Sequence, residues 1–151
     1  MDLPVQILSV VLAVVFGGAI GLEREISGKA AGLRTNVLIC LGAAVFTIIS
    51  TEIAAGIEAS PARIAAQIVT GVGFLGAGAI LQDKGGIQGL TTAATIWLVA
   101  SVGMACGARF YALAAIATLI TIVVLFGLGQ LEKPLRRYGR KHKRTSPTDE
   151  Q

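Results

Sequence analysis

Five apolar runs, each of roughly 20 residues, constrain this chain more than any other feature, because that is the length of helix a bilayer's hydrocarbon core demands. They are Pro4–Leu22, Asn36–Ala55, Ile64–Leu81, Gln88–Gly107 and Phe110–Gly129. A backbone in lipid must satisfy its own N–H and C=O groups, so runs of this length form helices. A charged stretch, Gly21–Asn36, joins the first two. Turns at Glu58–Pro61, Asp83–Gly86 and Ala108–Arg109 join the others. Short connections make sequence neighbours antiparallel. The expected fold is all-α: one polytopic membrane bundle of five transmembrane helices over residues 1–130, then a basic cytoplasmic tail, disordered, over 131–151.

Charge agrees with that reading. Only 15% of residues are charged, against roughly a quarter in a soluble domain, and mean hydropathy is +0.73. A net charge of +4 raises nucleic acid as a partner. Lys and Arg gather at segment ends, however, where membrane lipids of anionic type are the simpler partner. Their bias also sets orientation. With the tail inside, five crossings put the N-terminus outside. The inside then holds Arg24, Lys29, Arg34, Lys84 and the seven Lys and Arg of Lys133–Arg144, leaving Arg63 and Arg109 outside. The opening MDLPVQ lacks the basic start of a cleaved signal peptide, so the first run reads as a retained helix.

Shifting the chain by 57 residues lays Gly32–Val45 over Gly89–Val102, with seven of fourteen positions identical, among them the Gly-Leu pair and Thr35/Thr92. This predicts two parallel helix hairpins with a fifth helix added.

Gly71-Val-Gly73-Phe-Leu-Gly76 fits a dinucleotide-binding pattern in letters only. That pattern needs a strand before it and a helix start within it, and here it lies inside an apolar helix. With Gly78, and with Gly17/Gly21 and Gly103/Gly107, these small residues instead predict close helix packing. An alternative reading makes the third segment's glycines a bend beside a transported ion.

Glu23, Arg24, Glu25 and Arg34 abut apolar runs, where unpaired charge is costly. Thr35 and Thr92 each follow Gly-Leu-x and read as helix caps. Two helix N-termini side by side could receive Glu23, Glu25 and Asp83, with Arg24 and Arg34 completing the network. That arrangement reads either as a structural charge cluster or as a cation or ligand site. Mg²⁺ suits carboxylates with retained waters, but no spacing here demands it, and no cofactor is expected. At the opposite face Glu52 and Arg63 read as an interfacial ion pair, or with Gln67 as a polar entrance. Cys40 and Cys106 match no metal motif and read as small buried hydrophobes. Trp97, mid-segment, reads as a packing anchor. His142 has no companion ligands, and no hydrolase constellation exists, so the chain is not expected to be an enzyme.

Three stretches together resemble the MgtC/SapB family of bacterial membrane proteins: GLERE–GK–AGLRT at Gly21–Thr35, RIAAQIVTGVGFLGAGAIL at Arg63–Leu81, and GLTTAATIWLVASVGMACG at Gly89–Gly107. The resemblance covers about the first 130 residues. It implies a multi-pass inner-membrane protein of around five helices, linked in some members to magnesium limitation and survival in host cells. Virulence-associated members carry a soluble C-terminal domain, and this tail is too short to fold as one. Two activities compete within the family: Mg²⁺ transport, and modulation of other membrane proteins, the F-type ATP synthase among them. The expectation taken forward is a non-enzymatic protein that associates with other membrane proteins in ion or magnesium homeostasis. A small Mg²⁺ transporter with a site between the hairpins is the alternative. Exposed small-residue faces also fit a homo-oligomer.

Overall fold

The computed structural model describes residues 2–56, 60, 62–83 and 86–143. Five helices carry the chain, as expected: α1 (Leu3–Ile26), α2 (Leu33–Gly56), α3 (Ala62–Gly78), α4 (Leu90–Gly107) and α5 (Tyr111–Lys143). Pro4 lies in the first turn of α1, where its missing N–H costs little, and Val5 and Gln6 N–H close onto Asp2 O at 3.0 and 3.2 Å. Leu3–Ile26, Leu33–Ala55, Leu90–Gly107 and Tyr111–Gly129 are each long and apolar enough to cross a membrane.

Three boundaries differ from the sequence reading. The third segment was expected to reach Leu81, but α3 stops at Gly78, and its apolar stretch, Ala65–Gly78, is shorter than the other four. Leu81–Asp83 (β1) instead pairs antiparallel with Gly86–Gln88 (β2), in the register Leu81↔Gln88, Gln82↔Ile87 and Asp83↔Gly86. Closely spaced glycines end α3, because they favour the helix least of any residue but proline. Gly86, at φ 114°, lies in a region that L side chains rarely adopt. Consequently α4 begins at Leu90 and not at Gln88. Finally, α5 continues past Gly129 to Lys143, since the basic residues that leave the apolar region are themselves good helix formers. Of the tail expected to be disordered over 131–151, residues 131–143 thus continue α5, and those beyond Lys143 lie outside the described residues.

α2 is the centre of the bundle. A Cβ placed on Gly17 of α1 would come within 2.6 Å of Cys40 Cβ, and one on Gly21 within 2.9 Å of Leu33 Cα. The contact moves backwards along α2 as α1 advances, so the two helices are antiparallel. On the other side a Cβ at Gly103 would lie 2.9 Å from Ala43 Cβ, and one at Gly107 2.8 Å from Thr47 Cβ. Here both helices advance together, so α2 and α4 are parallel, as the repeat requires. Only backbones without side chains between them approach this closely. Ala13, Ile20, Cys40, Ala44, Val99, Val102, Cys106 and Ala114 close the core around these contacts. Buried threonines dispose of their hydroxyls locally: Thr47, Thr95 and Thr118 donate to the carbonyls four residues back, each at 2.8 Å. Ser9 on α1, fully buried, shares a 2.9 Å hydrogen bond with Tyr111 on α5.

The packing expected of the third segment's glycines is largely not made within the chain. Gly76 meets Ala93 of α4 at 3.6 Å, but Gly71, Gly73 and Gly78 have no described atom within 4 Å of the position a Cβ would take. Trp97 is likewise not a packing anchor. It is 53% exposed. Both Cys40 and Cys106 are buried free thiols, as expected.

Candidate functional site at the α1–α2 junction

α1 does not stop where its apolar residues run out. It continues one more turn to Ile26, which puts Glu23, Arg24 and Glu25 on a helix. Helical spacing then places Arg24 on the same buried face as Gly17, Ile20 and Gly21, and it is only 3% exposed. A guanidinium this deep needs a partner, and its Nε donates to Glu23 Oε2. The other oxygen of Glu23 accepts from Ser27 Oγ at 2.7 Å. The helix ends in a left-handed residue, Gly28 at φ 64°. Gly28 N–H bonds to Glu25 O and Lys29 N–H to Arg24 O, both at 3.0 Å, which satisfies the last carbonyls in the Schellman manner.

The loop that follows is tied to both helices. Glu25 Oε2 accepts the Leu33 N–H at 3.0 Å, putting a carboxylate on the first turn of α2. Helix N-termini attract anions there. The carboxylate reaches this position because residue 32 is glycine: a Cβ on Gly32 would overlap Oε2. From within α2, Asn36 Nδ2 donates to Ala31 O and Gly32 O, both at 2.8 Å. Asn36 is fully buried, and its Oδ1 has no hydrogen-bond partner among the described residues. A buried amide oxygen without a donor is uncommon and costly.

These positions revise the sequence reading in detail. Glu25 docks on a helix N-terminus as anticipated, and Glu23 pairs with Arg24. Arg34 and Thr35 instead lie exposed in the first turn of α2, outside the described network. Neither threonine is a cap. The helices open at Leu33 and Leu90, so Thr35 and Thr92 each sit third in a helix, one exposed and the other 5% exposed. The capping positions belong to Gly32 and Gly89, and both accept the same first helical bond, from Asn36 N–H at 3.2 Å and Ala93 N–H at 2.8 Å. Those pairs align in the repeat. Asp83 closes β1 opposite Gly86, in the hairpin leading to α4. At the far end Glu52 and Arg63 are both exposed, on the last turns of α2 and the first turn of α3. Asn36 was missed as a functional residue. Its signal was an amide four residues into an apolar helix.

Among the described residues, no three His, Cys, Asp or Glu side chains gather as metal ligands would. Glu23 and Glu25 are each engaged, by Arg24 with Ser27 and by a backbone N–H. The junction therefore does the chemistry of a clamp: it neutralises a buried cation and fixes the start of the central helix. A second feature lies in the membrane region. Between α2 and α3 runs an open groove of about 480 Å³, lined by Leu38, Gly42, Phe46, Gly71, Val72 and Leu75, with Gln67 its polar member.

The sequence profile of the MgtC family matches residues 10–134. The chain is 47% identical over 131 residues to YhiD of Escherichia coli K12, described as a candidate magnesium transporter, covering 83% of this chain and 61% of that protein. It is 48% identical over 112 residues to protein MgtC of Brucella abortus (strain 2308), covering 74% and 46%. With protein MgtC of Salmonella typhimurium (strain 14028s / SGSC 2262) it shares 46% identity over 116 residues, covering 77% and 49%. It thus spans between about half and three fifths of the length of these relatives. No solved structure matches the chain. With the profile matched over most of its length, through the charged junction and all five helices, the chain is a membrane protein that belongs to the MgtC family.

Proposed function

We propose that this protein is a non-enzymatic association module of the bacterial inner membrane, which binds other membrane proteins and alters their activity in ion or magnesium homeostasis. The observation that carries the reading is the contrast between its two kinds of helix contact. Where α1, α2 and α4 meet, glycines bring backbones together and leave no room for a passage. Where α2 and α3 meet, the glycine-floored groove stays open to one side and is apolar apart from Gln67. A transmembrane helix of a partner fits such a groove, because small residues let its backbone approach. The F-type ATP synthase, which the family resemblance brings in, is the partner to try first. The Lys and Arg bias supports an orientation with the N-terminus outside and the basic tail in the cytoplasm.

The test combines two measurements on one reconstituted sample. Proteoliposomes should show no Mg²⁺ uptake above empty vesicles by an entrapped magnesium dye. Co-reconstitution with ATP synthase should change ATP-driven proton pumping, and Gly42→Leu with Gly71→Leu, which fill the groove, should reverse the change. Saturable Mg²⁺ uptake would refute the association reading. It would favour the second reading, a small magnesium transporter, for which the description of YhiD and the orphaned Asn36 Oδ1 speak. In that event Glu23→Gln and Asn36→Leu should abolish flux, and uptake surviving both would remove the junction from consideration.

A further inference from the structure

The apolar stretch of α5 ends at Gly129, yet the helix continues to Lys143, and that continuity gives the basic residues a register the bare sequence hides. At 100° per residue, Leu131, Leu135 and Tyr138 fall within a sector of about 60°. Lys133, Arg136, Arg137, Arg140, Lys141 and Lys143 occupy a sector of about 160° centred opposite. Glu132 sits at the margin, and His142 falls among the apolar positions.

We propose that residues 131–143 form an interfacial amphipathic helix that lies on an anionic lipid surface, its Leu131–Leu135–Tyr138 stripe at the acyl boundary and its basic face among the headgroups. Position supports this. Nineteen residues from Tyr111 to Gly129 cover roughly 28 Å, close to the full hydrocarbon thickness, so the next turn emerges at headgroup level. Composition supports it as well: a narrow apolar stripe against a broad basic face is the pattern of helices that lie in the interface plane. Charge complementarity selects the lipid, since six Lys and Arg face a single Glu within the helix. A bend is available where one is needed. Pro134 cannot donate to the Gln130 carbonyl, and helices kink at such points. An acidic protein surface would engage the cations but has no use for the apolar stripe.

The experiment uses the full chain in vesicles, with Trp97→Phe removing the native indole and Tyr138→Trp placing one in the stripe. In vesicles containing phosphatidylglycerol at low salt, the indole should be quenched by shallow brominated lipids and shielded from acrylamide. In phosphatidylcholine vesicles, or at high salt, that protection should be lost. Each Lys or Arg neutralised should weaken docking about fivefold, so Arg136→Gln, Arg137→Gln, Arg140→Gln and Lys141→Gln together should weaken it by several hundredfold, on the order of 10² to 10³. A spin label on Leu135→Cys, read for oxygen against nickel accessibility, gives the same answer without the indole. Equal water access in anionic and neutral vesicles overturns the proposal. So does burial that ignores headgroup charge and salt, and so does protection that appears only when an acidic protein is added.

Discussion

Replacing Glu25 and Gly32 singly and together tests the clamp at the α1–α2 junction. The Glu25 carboxylate accepts the Leu33 N–H at 3.0 Å, and a Cβ on Gly32 would overlap its Oε2. Glu25→Ala loses a side-chain cap, about 0.5–2 kcal/mol, and a charge at a helix N-terminus, about 0.3–1 kcal/mol, for a total of about 1–3 kcal/mol. Glu25→Gln keeps an acceptor and loses only the charge, about 0.3–1 kcal/mol. Gly32 has no positive φ, so alanine is tolerated by the backbone, and its cost comes from displacing the carboxylate. Gly32→Ala should therefore match Glu25→Ala, whereas in a Glu25→Ala background it should cost nothing or stabilise by up to about 1 kcal/mol. The coupling in the double-mutant cycle is then about 1–3 kcal/mol. The chain supplies its own reporter: Cys40 and Cys106 are both buried and free, so a thiol-reactive fluorophore reads unfolding in detergent as temperature or denaturant rises. Additive effects, or a Gly32→Ala penalty that persists without Glu25, would refute the clamp.

The glycines divide into two classes that substitution should separate. Gly103→Leu or Gly107→Leu forces α2 and α4 apart and should destabilise by about 1–3 kcal/mol or more, while Gly73→Leu and Gly78→Leu, which meet no described atom, should leave the thiol-unfolding midpoint unchanged. Arg24→Met strands Glu23, whose side chain is only 10% exposed, and should cost about 3–5 kcal/mol; Glu23→Gln combined with Arg24→Met should recover much of it. Tyr111→Phe removes the partner of the buried Ser9 hydroxyl and should cost about 1 kcal/mol, read in the same assay, with Ser9→Ala restoring part of the loss.

Periodicity and length made the five helices legible, because each run had to satisfy its backbone within lipid. The repeat was legible too, and its Gly-Leu pairs open both α2 and α4. What sequence could not supply was the side of each helix that finds a neighbour. Gly17, Gly21, Gly71, Gly73, Gly78, Gly103 and Gly107 look alike as letters. Only the bundle's arrangement around α2 separates those that touch a backbone from those that face outwards, and the same holds for Trp97. Propensity points to the threonines as caps, but glycine sits at both helix starts. In the first half the reason is visible, since the carboxylate from the preceding helix occupies the space a side chain would need. The amphipathic order of residues 131–143 was hidden because its apolar positions are three among thirteen, and they align only once the segment is helical.

The two halves of the repeat show what the charged junction adds. α2 and α4 begin with the same Gly-Leu pair and the same first hydrogen bond. At α4 the entering chain is held differently: Gly89 adopts φ 88° against the Ala79 carbonyl, after a two-stranded turn, and no side chain caps it. At α2 the entering chain is instead fastened by Glu25, by the Asn36 amide and, one turn back, by a buried Arg24–Glu23 pair. An ionic fastening is a more expensive solution than a glycine turn, since it carries a guanidinium out of water and leaves the Asn36 amide oxygen without a partner among the described residues. The second half starts its helix without such a fastening. The cost is concentrated on the central helix, whose first turn touches both α1 and the loop. From there α2 continues outward to form one wall of the open groove. Loss of the Glu25 carboxylate or the Asn36 amide would loosen the seating of the same helix that walls the groove.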